Sequence, residues 1–409
     1  MSHEHLREIH ENSSPHPAAT EGSLTAKILP MKVLHLINTL SAGGAELHLL
    51  TLCRHLKTKN VEPVVVCLRE HVKGSRSLRA DFTRAGVNVI DLDADSRYDS
   101  RFFAGLAQVL NAERPEVLHT HLPRADVAGA LAHFLRPSLA WVCSVHAIYS
   151  ADWSGRWSLP LIRVLWRRAN RVICISHAVR DWLVNRGMPP DKIKVIHYGI
   201  ESEPFSQPQI DLRAKWRLSG QRIIGAVGRL EPRKGHQYLI QAMPELCRRI
   251  PGALLLIAGH DPWGYGRVLR QLTAKLNVED KVCLLGFQDD VVSFLNAIDV
   301  FAFATTSEGF GQVLVEAMAA GKPVVASHVP PLTEIAENGN TALLVDPANP
   351  AAFADALARV LDNSIDRLSM GQRARQRVET HFTAEKMAAA TLALYEEACG
   401  EMSNLRSLA

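Results

Sequence analysis

Apolar positions along this chain fall into short runs separated by longer stretches of a different period. From residue 32 the runs are Val33–Ile37, Val64–Leu68, Val87–Ile90, Val117–Thr120, Trp141–Val145, Val172–Ile175 and Lys194–His197. Most are rich in β-branched residues and nearly continuously apolar, as expected for strands covered on both faces of a parallel sheet. The stretches between them, such as Ala45–His55 and Phe102–Leu110, carry helical periodicity. Residues 201–218 break the rhythm with Pro204 and Pro208 and read as a linker with the first helix beyond it. The rhythm then restarts at Ile223–Val227, Leu254–Ala258, Val282–Leu285, Val300–Phe303, Val324–Ala326 and Leu343–Val345. Two consecutive series of this kind predict an α/β protein of two Rossmann-like domains facing a central cleft, spanning 31–200 and 219–383. The segment 384–409 is amphipathic and predicts a closing helix. Residues 1–30 are polar and broken by Pro15, Pro17 and Pro30. They read as a disordered extension, with Met31 as an alternative start.

Length and composition agree with that division. A chain of 409 residues exceeds one ordinary α/β domain. With 47% hydrophobic and 22% charged residues, it has the composition of a water-soluble globular protein. A net charge of +4 is too balanced to point to nucleic acid. The seven cysteines form no CxxC pair, and several sit in apolar runs, where a thiol behaves as a small hydrophobe. They read as reduced core residues of a cytoplasmic protein rather than a disulfide framework or zinc site. No stretch has the roughly 20 apolar residues of a spanning helix, and the N-terminus lacks an apolar signal region.

The residues that could carry chemistry lie at the carboxyl ends of the expected strands, where doubly wound sheets bind ligands. After the first strand, Gly43-Gly44 precedes a helix and would let a phosphate approach its N-terminus, although a tight turn explains the glycines equally well. His119, His121 and His146 also lie at the carboxyl ends of strands. A zinc reading of these three lacks a carboxylate or thiolate partner. In the second half, Gly228-Arg229 and Lys234-Gly235 place a guanidinium and an ammonium on the loop after its first strand. Such a pair can neutralise a diphosphate without a metal. Arg233 beside them is open to a purely solvent-exposed reading. The strongest local signal runs from Thr306 to Met318. A strand leads through Glu308-Gly309-Phe310-Gly311-Gln312 into a helix that carries Glu316. Amides of Phe310, Gly311 and Gln312 would face a bound phosphate at that helix start. The two glutamates, eight residues apart, would reach different parts of one elongated ligand.

Taken in order, these motifs resemble the retaining glycosyltransferases of family 4 (glycosyl transferases group 1), which have the two-domain GT-B architecture. The resemblance rests on Glu308 through Glu316, Gly228-Arg229 with Lys234-Gly235, and Gly43-Gly44-Ala45-Glu46. Ile175-Ser176, Tyr198-Gly199-Ile200 and Asn338-Gly339 support it, and it extends from about residue 32 to 400. It implies that Arg229 and Lys234 bind the donor diphosphate and that Glu316 binds the nucleotide ribose. Glu308 would contact the donor sugar and support an oxocarbenium-like transition state. Gly44 and the Phe310–Gln312 amides would hold phosphate, and His146 would lie near the sugar. Backbone near Gly286-Phe287 would select the base, so Phe287 joins the donor site. The resemblance further implies a closing helix that crosses back onto the N-terminal domain, no metal and no cofactor beyond the nucleotide-sugar donor. Where many members have Gly-x-Gly-Pro, this chain has Gly259-His260-Asp261-Pro262, so contacts of that loop are expected to differ.

The expected reaction moves a sugar from a UDP- or GDP-linked donor to a glycan or lipid-linked acceptor, as in cell-surface polysaccharide or glycolipid synthesis. Alternatives are a sugar-nucleotide epimerase of the same architecture or a non-catalytic nucleotide-sugar-binding protein. Trp153–Arg168 mixes tryptophan, aliphatic and arginine residues, which suits the surface of an anionic membrane. Peripheral attachment at the inner face of the plasma membrane is one reading of this segment. A helix packed on its own domain is the other.

Overall fold

The computed structural model describes residues 29–69, 76–93, 100–149, 158–207 and 209–408. The extension expected over residues 1–30 therefore lies almost wholly outside the described residues, as do Trp153 to Trp157.

Seven parallel strands form the first sheet: β1 (Met31–Ile37), β2 (Val61–Cys67), β3 (Asn88–Asp91), β4 (Val117–His121), β5 (Ala140–Val145), β6 (Arg171–Cys174) and β7 (Ile193–Val195). Six more form the second: β8 (Arg222–Val227), β9 (Ala253–Ala258), β10 (Val282–Gly286), β11 (Val300–Phe303), β12 (Val324–Ser327) and β13 (Leu343–Val345). Each of the thirteen expected runs forms a strand, with ends that move by up to three residues. The central strands are buried along almost their whole length, for example β4, β5, β11 and β12. Helices covering both faces leave no solvent side on which polar alternation could appear.

The strand orders are β3-β2-β1-β4-β5-β6-β7 and β10-β9-β8-β11-β12-β13. In each sheet the chain reverses its direction of winding between two central strands, β1 and β4 in the first and β8 and β11 in the second. The loops leaving those strands diverge to opposite faces and open a crevice, the usual ligand position of such sheets. Gly43-Gly44 and His121 follow β1 and close β4. Arg229–Lys234 and Glu308–Gln312 follow β8 and β11.

The closing helix, Ala384–Leu408, returns to the first sheet. Its Met387, Leu394, Tyr395 and Ala398 share a buried cluster with Val33, Val117 and Val142. Arg171 at the start of β6 pairs with Glu401 at 2.5 Å and Glu397 at 3.6 Å. The two chain crossings between domains lie side by side. The Ile200 amide donates to Phe382 O at 2.9 Å and the Ala384 amide to Ile200 O at 3.1 Å.

Candidate active site

The second-domain half of the site is built from two loops tied together. Gly235 ends the β8 loop in the left-handed region (φ 73°), and a Cβ there would lie 1.8 Å from Ala304 O. Only glycine allows this approach. Thr306 N and Thr305 Oγ1 both donate to Arg233 O, at 2.8 and 3.0 Å. The two loops therefore move as one body, and Lys234 Nζ donates to Glu308 Oε1 at 2.6 Å. The Glu308 side chain is 8% exposed. Arg233 stands 3.8 Å from its other oxygen, and Arg233 and Arg229 both pair with Glu231. Arg229 also lies over the Trp263 ring at 5.3 Å, with its side chain half exposed to the cleft.

Gly311 caps the helix Gln312–Ala319 at φ 103°, a conformation that side chains rarely adopt. A Cβ there would also meet Leu332 Cδ2 at 2.7 Å. Glu316, one turn into this helix, accepts from Gln312 Nε2 at 3.0 Å. Burial pushes its carboxyl up to about 7, because desolvation penalises the charged form. Phe310 is buried against His197, Tyr198 and Phe382, so its backbone rather than its ring is available to a ligand. Phe287 is 48% exposed after the end of β10. In the departing loop, Asp261 Oδ2 accepts the Gly266 amide at 3.0 Å and His260 is exposed. Asp261 thus closes its own loop.

The first domain meets these loops directly. Gly44 opens the helix Gly44–Lys57 with Gln312 Oε1 3.6 Å from where its Cβ would sit. Gly309 packs against the backbone of His146 and Ala147 and accepts from Ser176 Oγ at 2.8 Å. His146 itself is buried. Its Nδ1 lies 2.5 Å from the Tyr198 hydroxyl and its Nε2 3.1 Å from His121 Nδ1. Burial lowers its pKa to about 3, so it meets any ligand as a neutral imidazole. Both ring nitrogens have protein partners, so a bond from this ring to a sugar hydroxyl requires exchanging one of them.

The structure thus brings Glu308, Lys234, Arg229, Gly44, Gln312 and His146 to one interdomain seam, with Gly43, Gly311, Phe310 and Glu316 immediately behind. Phe287 stands at the rim of the second sheet. His119 lies deeper, bonded to Tyr395 at 2.7 Å and Ser144 at 2.8 Å. Sequence reasoning gave no role to Glu46, Glu231, Ser176 or Tyr198. Glu46 is buried on the first turn of its helix and its carboxyl is pushed up to about 7 by burial, against the opposing field of Arg229 across the cleft. Its position three residues after Gly43 was the available signal. Ser176 and Tyr198 entered only as support for the family resemblance; their contacts to Gly309 and Phe310 span domains, and Tyr198 also bonds His146 within the first domain.

Two parallel-sheet domains with facing glycine loops and a closing helix that returns to the first domain define the GT-B class. Residues 42–203 match the family described as Glycosyltransferase Family 4, and residues 208–377 match the family described as glycosyl transferases group 1. An uncharacterised glycosyltransferase of Methanocaldococcus jannaschii is 30% identical over 311 residues, covering 70% of this chain and 77% of that one. The GDP-mannose-dependent α-(1-6)-phosphatidylinositol monomannoside mannosyltransferase of Mycobacterium tuberculosis is 29% identical over 283 residues, covering 65% and 70%. The crystal structure of Anabaena HepE with UDP and glucose shares the fold, with a TM-score of 0.81 at 24% identity over 90% of this chain and 100% of that one. The chain belongs to glycosyltransferase family 4.

Proposed function

We propose that this glycosyltransferase transfers a sugar, with retention and without a metal or other cofactor, from a UDP- or GDP-linked donor to a glycan or lipid-linked acceptor. The observation that carries the reading is the Lys234–Glu308 pair at 2.6 Å, on loops that also carry Arg229 and Gln312, the latter facing Gly44 of the opposing domain. A donor diphosphate is a stronger anion than one carboxylate. On binding it draws the Lys234 ammonium and the Arg229 guanidinium to its oxygens. Glu308 is then released from its ion pair and left as a buried carboxylate beside the sugar, where positive charge develops as the anomeric bond breaks. Glu316 takes the ribose and the backbone near Phe287 the base. A phosphate oxygen on the departing side accepts the acceptor's proton, which gives retention on one face of the ring. The mannosyltransferase relative uses GDP-mannose by its name and the HepE structure holds UDP, which keeps both bases in view for this chain.

The reading extends to a glycolipid or polysaccharide acceptor reached at the inner face of the plasma membrane. Among the described residues no helix is long and apolar enough to cross a membrane. Supporting peripheral contact, Phe134 (77%), Leu161 (56%) and Val164 (53%) are exposed on the packed helices Pro123–Leu135 and Ser158–Trp166, close in sequence to Arg167 and Arg168. Trp166, in contrast, is fully buried and donates to Asp126 at 2.9 Å. This tryptophan belongs to the domain core rather than to a membrane face.

The test is transfer or hydrolysis of UDP- and GDP-sugars in the presence of EDTA, with the anomeric configuration of the product read by NMR. Turnover with retention that disappears in Glu308→Ala supports the proposal. Turnover that requires an added divalent ion, or inversion, overturns its mechanism. Failure to float with anionic vesicles at low salt removes the membrane contact.

A further inference from the structure

Away from the donor loops, three potential metal ligands meet across the domain interface. His177 begins the helix His177–Val184 and His197 follows β7, both in the first domain. Glu334 comes from the short helix Leu332–Ile335 of the second. One ligand atom of each lies within 4.8 Å of the others. Glu334 spans the interface, with Oε1 accepting the Ala178 amide and Oε2 the His177 amide, both at 2.8 Å. His197 Nε2 stands 3.3 Å from Glu334 Oε2. That separation is long for a charge-assisted hydrogen bond. It equals the spacing of two ligands about 2.0–2.1 Å from one tetrahedral zinc, roughly 3.3 Å.

The donor set is chemically suited to such an ion. Two imidazoles and one carboxylate leave a fourth position for water and match the borderline preference of zinc. Glu334 supplies the carboxylate that the ion needs. His177 is exposed, so an ion can enter and its ring can swing the remaining distance. The other such histidine group among the described residues, His35, His119 and His121, is fully buried and holds no carboxylate among its members. A divalent charge there would be uncompensated.

We propose that His177, His197 and Glu334 form a binding site for a divalent transition-metal ion, of the zinc class, that ties the two domains together. The site acts on the donor loop from behind. His197 stacks on Phe310 with ring centroids 5.7 Å apart, and Leu332, in the helix of Glu334, packs against Gly311. A bound ion fixes both supports and holds the cleft at one opening, so zinc slows turnover without entering the chemistry.

The experiment uses the full chain with His3, His5, His10 and His16 replaced by Gln, so that the N-terminal histidines contribute nothing. Zinc chloride is titrated by calorimetry, and Tm is followed with and without zinc. One ion per chain and a zinc-dependent rise in Tm are expected. His177→Ala, at an exposed position, and Glu334→Gln should each weaken binding by more than the ~10–100-fold that loss of an outer-shell partner costs. Apo Tm values show whether each variant folds, and His177→Ala is decisive if Glu334→Gln does not. No zinc-dependent rise in Tm overturns the proposal. So does unchanged affinity in His177→Ala, or in a folded Glu334→Gln. The binding readout is independent of donor turnover.

Discussion

Replacing Gly309 with alanine tests the seam between the domains with one methyl group. A Cβ built on Gly309 falls 2.5 Å from His146 O and 3.0 Å from Ala147 Cα. Both are backbone atoms of the opposite domain, so no side chain can rotate away. A normal contact needs close to another ångström, and the neighbouring Ser176–Gly309 bond of 2.8 Å resists the shift. Overpacking of this kind costs about 1–3 kcal/mol. The methyl leaves each domain's core untouched and penalises only this contact between the domains. The arrangement in which the domains make it should therefore lose about 5- to 150-fold in population at 1.4 kcal/mol per decade. Steady-state kinetics with a nucleotide sugar should show kcat/KM reduced by that range. Binding of the nucleotide alone and the Tm of the second domain should change little. Wild-type kcat/KM in a folded Gly309→Ala protein would refute the contact and, with it, this domain arrangement as the reactive one.

Three further outcomes follow from the same structure. Lys234→Ala leaves the Glu308 carboxylate with only Arg233 at 3.8 Å and should lower kcat by about 10²–10³; kinetics within tenfold of wild type would show that Lys234 does not meet the leaving group. For Glu316, whose carboxyl is raised to about 7 in the fold, folding is penalised once it must ionise. Its favourable contribution is present below the unfolded value near 4.5 and is lost as pH rises through 7. Glu316→Gln should thus gain on wild type, on the order of 2 kcal/mol, between pH 5 and 8 in urea unfolding; an equal difference at both pH values contradicts the burial. Trp166→Phe strands Asp126 Oδ2, now bonded at 2.9 Å, and should cost about 1–3 kcal/mol with donor affinity intact; an unchanged urea midpoint would remove that bond from the account.

The strands were legible because a two-sided parallel sheet leaves a continuous apolar run, and the β11 loop because Gly309 and Gly311 stand out between a strand and a helix. Glu308 and Lys234 could be paired in advance only through the family resemblance; their 74-residue separation carries no periodic signal. Trp166 shows where amphipathicity misleads. A tryptophan among arginines reads as interfacial, yet its ring fills the core and its N–H serves Asp126, forty residues earlier. Glu334, which caps a helix of the opposite domain, left no local trace at all. Its partners are set by the angle between two bodies, and sequence spacing within one body does not encode that angle.

The return of the last helix to the first sheet has a consequence for how the protein is made. Val33, Val117 and Val142 are covered by Met387, Leu394 and Tyr395, so the first half of the chain to leave the ribosome is the last to be sealed. Until residues near Met402 emerge, the part of that face not covered by Leu52 and Leu56 stays open, and the nascent chain carries that apolar surface through the whole synthesis of the second domain. Chaperone demand and aggregation during expression should therefore concentrate on the domain that was translated first.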